Sequence, residues 1–214
     1  MNMTSKRFLT GASLFLLLYI FTFYFPPLYF SLILIAIFTE ILIFEWPPLL
    51  KNHSWSFRLI TFLYPLIPFA CLIIINNYSQ WLMFILVSLV ALFDTFSYIA
   101  GKMIGKHKIA PRISPGKTWE GVFGGFSAVF VGILSFSAHK NLLHIPFIAI
   151  LALIISCLAL AGDLLESWFK RKAGIKHSGS LLPGHGGLLD RIDGLMIVAI
   201  FFAIFKKYLL NFFN

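Results

Sequence analysis

Residues 81–100 read WLMFILVSLVALFDTFSYIA, a run carrying one charge, Asp94. A bilayer core about 30 Å thick is crossed by a helix of roughly 17–25 apolar residues, so this run is of spanning length. Six more runs of this kind are bounded by charge, Pro or Asn: Phe8 to Phe25, Leu28 to Phe44, Leu59 to Ile75, Trp119 to Phe136, Pro146 to Gly162, and about Gly194 to Phe213. The last holds Lys206 and Lys207, which must snorkel or end the span early. Composition agrees: of 214 residues, 59% are hydrophobic and 12% charged, against about 45–50% and about 25% in ordinary soluble domains. A soluble monomer, a disordered chain and a secreted disulfide scaffold are excluded. Cys71 and Cys157 lie inside apolar runs and read as small packing residues rather than a bridge or thiolate metal ligands. The first run is long for a leader and ends at Pro26-Pro27 without a small-residue cleavage site, so it is expected to stay. The expected fold is an all-α integral membrane protein of about seven transmembrane helices, with residues 1–214 forming a single polytopic membrane domain.

Charge sets the orientation, because Lys and Arg collect on the cytoplasmic side. With the N-terminus inside, 14 of the 17 basic residues fall there and only Lys140, Lys206 and Lys207 fall outside. The reading is N-in, C-out. All eight carboxylates fall on or near the same side: Glu40 and Glu45 close the second span, Asp94 sits in the inner half of the fourth, Glu120 opens the fifth, Asp163 and Glu166 follow the sixth, and Asp190 and Asp193 precede the seventh. A transporter would place polar groups at the midplane on broken helices in paired repeats, which this sequence lacks. The net charge of +9 therefore points to an anionic leaflet or phosphate-bearing substrates, not nucleic acid, and the chemistry belongs at the cytoplasmic interface.

Two segments hold most of the chemistry-bearing side chains. In the first, Asp94 to Gly125, Asp94, Tyr98 and Gly101 share a helical face through spacings of four and three. An aspartate inside a span faces a partner, an ion or a wet cavity, or it fixes packing through an interhelical hydrogen bond. Ser114-Pro115-Gly116-Lys117-Thr118 is not a Walker loop, because Pro111 stands where the first glycine is needed. It reads as a turn that carries Lys117 and Arg112 just before a helix N-terminus, either an anion site or a basic loop touching headgroups. Gly101/Gly105 and Gly121/Gly125 have the spacing of close helix packing.

The second segment, Ala161 to Gly194, holds Asp163, Glu166, Asp190 and Asp193 together with Lys170, Arg171, Lys172, Lys176 and Arg191. Each carboxylate pair is three residues apart and can share a face. Two helix ends meeting at one surface would offer an all-oxygen magnesium site, or an ion-pair network with the lysines and arginines. His185, in Pro183-Gly184-His185-Gly186-Gly187, is equally a ligand contact and a structural residue. His53, His107, His139 and His144 have no constellation around them and read as interface residues.

Ser167-Trp168-Phe169-Lys170-Arg171, Lys176 and Pro183-Gly184-His185-Gly186-Gly187-Leu188-Leu189-Asp190-Arg191-Ile192-Asp193 resemble the signature of the phosphatidate cytidylyltransferase, or CDP-diacylglycerol synthase, family. DTFSYIAGKMIGKHKIAPRISPGKTWEG, from Asp94, resembles that family's second shared block, so residues 94–193 carry both. The departure is His177, where the family's pattern has Asp after Lys. The resemblance implies transfer of CMP from CTP to phosphatidate at a bacterial inner membrane, with Mg2+ required and a second, monovalent cation left open. It implies catalytic roles for Asp163, Asp190, Lys170, Arg171 and Arg191. Metal ligation falls to Asp163, Asp190, Asp193 and Glu166. Substrate binding falls to Asp94, Tyr98, Arg112, Ser114, Lys117, Lys176 and His185. The partners are CTP, phosphatidate and membrane lipids; a homodimer is left open. The rivals are a CTP-using polyprenol kinase, a CDP-archaeol synthase and a transporter or scaffold without turnover.

Overall fold

Apolar runs punctuated by Pro, Asn and charge become long antiparallel helices. In a computed structural model, residues 16–50, 55–137, 145–175, 178–179 and 187–214 are described, with the backbone alone for 55–61. The helices are α1 (described over 16–24), α2 (Pro27–Leu50), α3 (Trp55–Tyr78), α4 (Gln80–Ile104), α5 (Trp119–Phe136), α6 (Ile145–Lys172) and α7 (Leu189–Phe213). Five of them, α2 and α4 to α7, are long and apolar enough to cross a membrane, and α3 contributes the shorter apolar stretch Phe62–Tyr78. The run expected from Phe8 lies partly outside the described residues.

The protein is a helical membrane protein. Large apolar side chains are exposed at helical spacing on the outside of the bundle, such as Leu28, Leu32 and Ile35 on α2 and Ile150 and Leu153 on α6. In water such a surface would aggregate; in hydrocarbon it is at home. Phe69, Phe93, Phe202, Leu82 and Ile155 fill the interior. Both cysteines are free, and Cys157 points outward rather than packing inside.

At one end of the bundle polar side chains tie the short connections. Asn76 Nδ2 donates to Pro27 O (2.7 Å) and Ser31 Oγ (2.9 Å), and Gln80 Nε2 donates to Phe25 O at 2.9 Å. The Lys206 ammonium lies 5.2 Å from the ring centre of Tyr78, and α7 continues past it to Phe213.

The expected ends are corrected mainly at the opposite, polar end. Helix α6 does not stop at Gly162 but runs ten residues further, to Lys172, because Leu164, Leu165, Trp168 and Phe169 keep its apolar periodicity. Helix α7 starts at Leu189, not near Gly194. Asp163 and Glu166 lie on α6, and Asp190 and Asp193 in the opening turns of α7, each pair on one helix as its spacing implies. Helix α2 continues past Phe44 through a π turn, Ile41–Glu45, in which the Trp46 N–H bonds to Ile41 O. The π turn places Glu45 inside just before Pro47 and Pro48, which have no N–H to give the ladder.

The all-α expectation gains one small addition. Lys108–Ala110 (β1) and Ser114–Thr118 (β2) pair antiparallel, with Lys108 opposite Thr118 and Ala110 opposite Ser114. The segment read as a turn is thus a strand, and the turn is at 111–113.

Candidate active site

The site is built by two close helix pairings at the polar end. Helices α4 and α5 touch through glycine: a Cβ at Gly121 would lie 2.8 Å from Ser97 O, and one at Gly101 would lie 3.1 Å from Thr118 Oγ1. This is the small-residue packing expected from the spacing. Thr118 caps α5, its Oγ1 accepting the Gly121 N–H at 3.2 Å. Helices α6 and α7 touch at Gly162, whose Cβ would collide with Asp193 O and lie 3.0 Å from Gly194 Cα.

Gly162→Val is expected to overpack this crossing and to cost about 1–3 kcal/mol of stability. Thermal unfolding of the detergent-solubilised protein reads this as a lowered midpoint. An unchanged midpoint would mean that the helices do not touch there.

Those contacts draw the acidic residues of three helices together. A Cβ at Gly194 would lie 2.9 Å from Asp163 Oδ1 and 3.7 Å from Asp94 Oδ1, so α4 and α6 present their carboxylates to the same point on α7. Asp193 feels the charges of Asp163, Glu166 and Asp94. Into this group reaches Lys117 from β2, its ammonium contacting Asp163 Oδ2. Burial alone would lower the Lys117 pKa, but the carboxylates of Asp163, Asp94 and Asp193 outweigh it and hold the group above its usual value. Lys117 stays a cation. Beside it opens a cavity of about 210 Å3 whose lining includes Asp94, Tyr98, Ser114, Gly116, Lys117 and Thr118.

The four expected metal ligands do not form one cluster. Glu166 and Asp190 gather around a second lysine: Lys170 Nζ contacts Glu166 Oε2 and donates to Asp190 Oδ1 at 2.5 Å. Asp190 also accepts the Gly187 N–H at 3.1 Å. Lys170 is thus turned inward, between α6 and α7, and not toward the cavity. Among the described residues no three His, Cys, Asp or Glu side chains stand in a geometry that could hold a metal ion; the two lysines take up the carboxylates instead.

Other expected residues are more dispersed. Arg171 Nε donates to Ile113 O at 3.1 Å, tying α6 to the hairpin. Arg112 is exposed on the hairpin turn, and Arg191 is exposed on α7 with its charge felt at Asp94. Lys176 and His185 lie outside the described residues. His107 is not without a constellation: its Nδ1 is 2.6 Å from Glu120 Oε1, and Glu120 also accepts the backbone N–H groups of Lys106 and His107. That pair anchors the hairpin to the first turn of α5. Sequence reasoning also passed over Ser97 and Thr118, whose signal was a helix-cap threonine before glycines, and Glu45, which had none.

Comparison with known proteins places these features in a family. Residues 1–209 match the family model described as the cytidylyltransferase family. Over 122 residues the chain is 42% identical to a phosphatidate cytidylyltransferase of Haemophilus influenzae, covering 55% of this chain and 42% of that protein. A Brucella abortus protein of the same name is 46% identical over 121 residues, 53% of this chain and 44% of its own length. One from Pseudomonas aeruginosa is 44% identical over 112 residues, with 51% and 41% covered. The matched region spans rather less than half the length of each of these relatives.

Proposed function

The chain belongs to the cytidylyltransferase family, and we propose on that footing that it transfers CMP from CTP to phosphatidate, giving CDP-diacylglycerol and pyrophosphate. The observation that carries this reading is the convergence of Asp94, Asp163 and Asp193 with Lys117 beside a cavity at the polar end of an apolar bundle. Such a place serves both substrates, a charged nucleotide from water and a lipid from the bilayer.

The reaction asks little proton chemistry of the protein. A phosphate monoester has a second pKa of about 6, so near neutrality phosphatidate offers a dianionic oxygen that needs no general base. That oxygen bonds to the α-phosphorus of CTP while the bond from this phosphorus to the bridging oxygen of the β-phosphate breaks, and pyrophosphate leaves with the electron pair. The difficulty lies in bringing two polyanions together and stabilising the leaving charge. Lys117, kept cationic inside the cavity, is suited to the phosphates. Tyr98 and Ser114 on the lining are suited to orienting the nucleotide.

The chemistry of the carboxylates, though not their present spacing with Lys117 against Asp163, suits a hard divalent cation. Asp94, Asp163 and Asp193 supply oxygen donors, and Asp94 Oδ1 is buried without a hydrogen-bond partner. Magnesium suits such a set; when bound, it would neutralise phosphate charge. Glu166 and Asp190, held by Lys170, would support the set from behind.

Cytosine nucleotide labelled in turn at its α- and γ-phosphates tests the reading. Label from the α position is expected in the chloroform-soluble lipid, and none from the γ position. Transfer of the γ label would instead show a lipid kinase. We further propose that the polar end faces the cytoplasm of an inner membrane. A cysteine placed at Lys108 should then react with an impermeant maleimide only from inside, and one at Lys140 only from outside. Reaction at 108 from outside would reverse the orientation.

A further inference from the structure

We infer that Glu45, on α2, is a positioning residue that holds the acidic first turn of α7 in place for catalysis. The inference rests on the functional reading above and adds a residue that neither shared block contains. Glu45 is 1% exposed, and its carboxylate takes three neutral donors: the Leu188 N–H on Oε1 at 2.6 Å, the Leu189 N–H on Oε2 at 2.8 Å, and Ser178 Oγ on Oε2 at 2.9 Å.

The opening N–H groups of a helix have no partner within it and need an acceptor from outside. The residue at the start of α7 is Leu188, which has no side chain able to cap. Glu45 supplies the cap from 143 residues away in sequence, and its negative charge also suits the positive end of the helix dipole. The fit is tight: a Cβ at Gly179 would lie 2.9 Å from Glu45 Oε1, and one at Gly187 would collide with both Ser178 Oγ and Glu45 Oε2. Glycine at both positions is what lets the loop backbone close around the carboxylate.

What this cap fixes is the axial position of α7. One and two residues beyond the bonded N–H groups stand Asp190 and Arg191, and one turn further the Asp193 backbone O packs on Gly162 while Gly194 faces Asp163 Oδ1. Helix α2 is thereby locked to the acidic turn through a π turn whose effect is to point Glu45 inward. A slide of α7 along its axis would separate Asp193 from Asp163, with Lys117 left between misplaced charges.

The experiment combines hydrogen exchange with kinetics on the full chain in lipid nanodiscs. In Glu45→Gln, which keeps the shape and loses the charge and one acceptor oxygen, exchange across residues 187–194 should rise at least tenfold, with α3 to α5 unchanged. The kcat per folded enzyme should fall at least tenfold, with KM for CTP within twofold, as expected where an interaction acts on the transition state alone. Ser178→Ala, which removes one donor and keeps the carboxylate, should give a smaller change of the same kind, and it carries the test if Glu45→Gln does not fold. Glu45→Asp should recover part of the loss. Unchanged exchange, or raised exchange with undiminished kcat, overturns the proposal. So does a uniform rise in exchange over all helices, the mark of a merely structural role. If the wild-type protein transfers no CMP, the functional reading falls, and exchange at 187–194 still decides whether Glu45 holds α7.

Discussion

Asp163→Asn is expected to lower turnover at least a hundredfold while the protein remains folded in the membrane. Asp163 is 4% exposed and occupies the crossing of three helices, with Lys117 against one oxygen and Gly194 behind the other. Asparagine preserves the volume, so the α6–α7 crossing at Gly162 is not disturbed. The charge is what disappears. A hard cation would lose a carboxylate donor, and Lys117 would lose its contact partner. Removing one partner of a buried ion pair can cost about 3–5 kcal/mol of stability, but Lys117 keeps the charges of Asp94 and Asp193 nearby. The loss of stability should therefore be smaller than the loss of activity. Turnover per folded enzyme, measured against magnesium concentration, separates the alternatives. A structural ion pair alone predicts a lower unfolding midpoint, partial activity and an unchanged magnesium dependence.

The second large effect is expected at Lys117. Lys117→Met keeps most of the aliphatic stem and removes the only positive group that the described cavity lining contributes. A lost charge-assisted hydrogen bond costs about 1.5–3 kcal/mol, so kcat/KM for CTP should fall about ten- to a hundredfold. The effect should not be additive with Asp163→Asn, because the two side chains act as one unit. The double variant is predicted to be little worse than Asp163→Asn alone. Full additivity in the double variant would mean that the two residues serve separate tasks, and unchanged use of CTP by Lys117→Met would return the hairpin to a headgroup-binding loop.

Hydropathy located the spans better than it located their ends. Helix α5 begins and ends at Trp119 and Phe136 as expected, because a capping threonine precedes it and polar residues follow. Helix α6 overran its expected end because hydropathy marks the hydrocarbon boundary, whereas the helix continues as long as its i, i+3, i+4 apolar face continues. The strand at Ser114–Thr118 was hidden behind Pro115 and Gly116, residues that ordinarily signal a turn; pairing with Lys108–Ala110 overrode that local preference. Asp94, Tyr98, Ser114 and Lys117, expected from the sequence to bind substrate, line one cavity.

The arrangement of the acidic residues was less legible. Spacing shows that Asp163 and Glu166 can share a face, yet it does not show that Lys117 takes the first and Lys170 the second. Those pairings depend on how far α6 and α7 approach at Gly162 and Gly194, a tertiary fact. Glu45 was unreadable for a stronger reason: its partners are two backbone N–H groups and one hydroxyl, and backbone donors leave no pattern of side chains in a sequence.

The most direct test of the central claim is the release of pyrophosphate from CTP by the purified protein in magnesium-containing nanodiscs, with and without phosphatidate. The account predicts that release requires both phosphatidate and magnesium, equals the CDP-diacylglycerol formed mole for mole, and disappears in Asp163→Asn. Pyrophosphate release that ignores phosphatidate, or CDP-diacylglycerol formation that persists undiminished in Asp163→Asn, would contradict it.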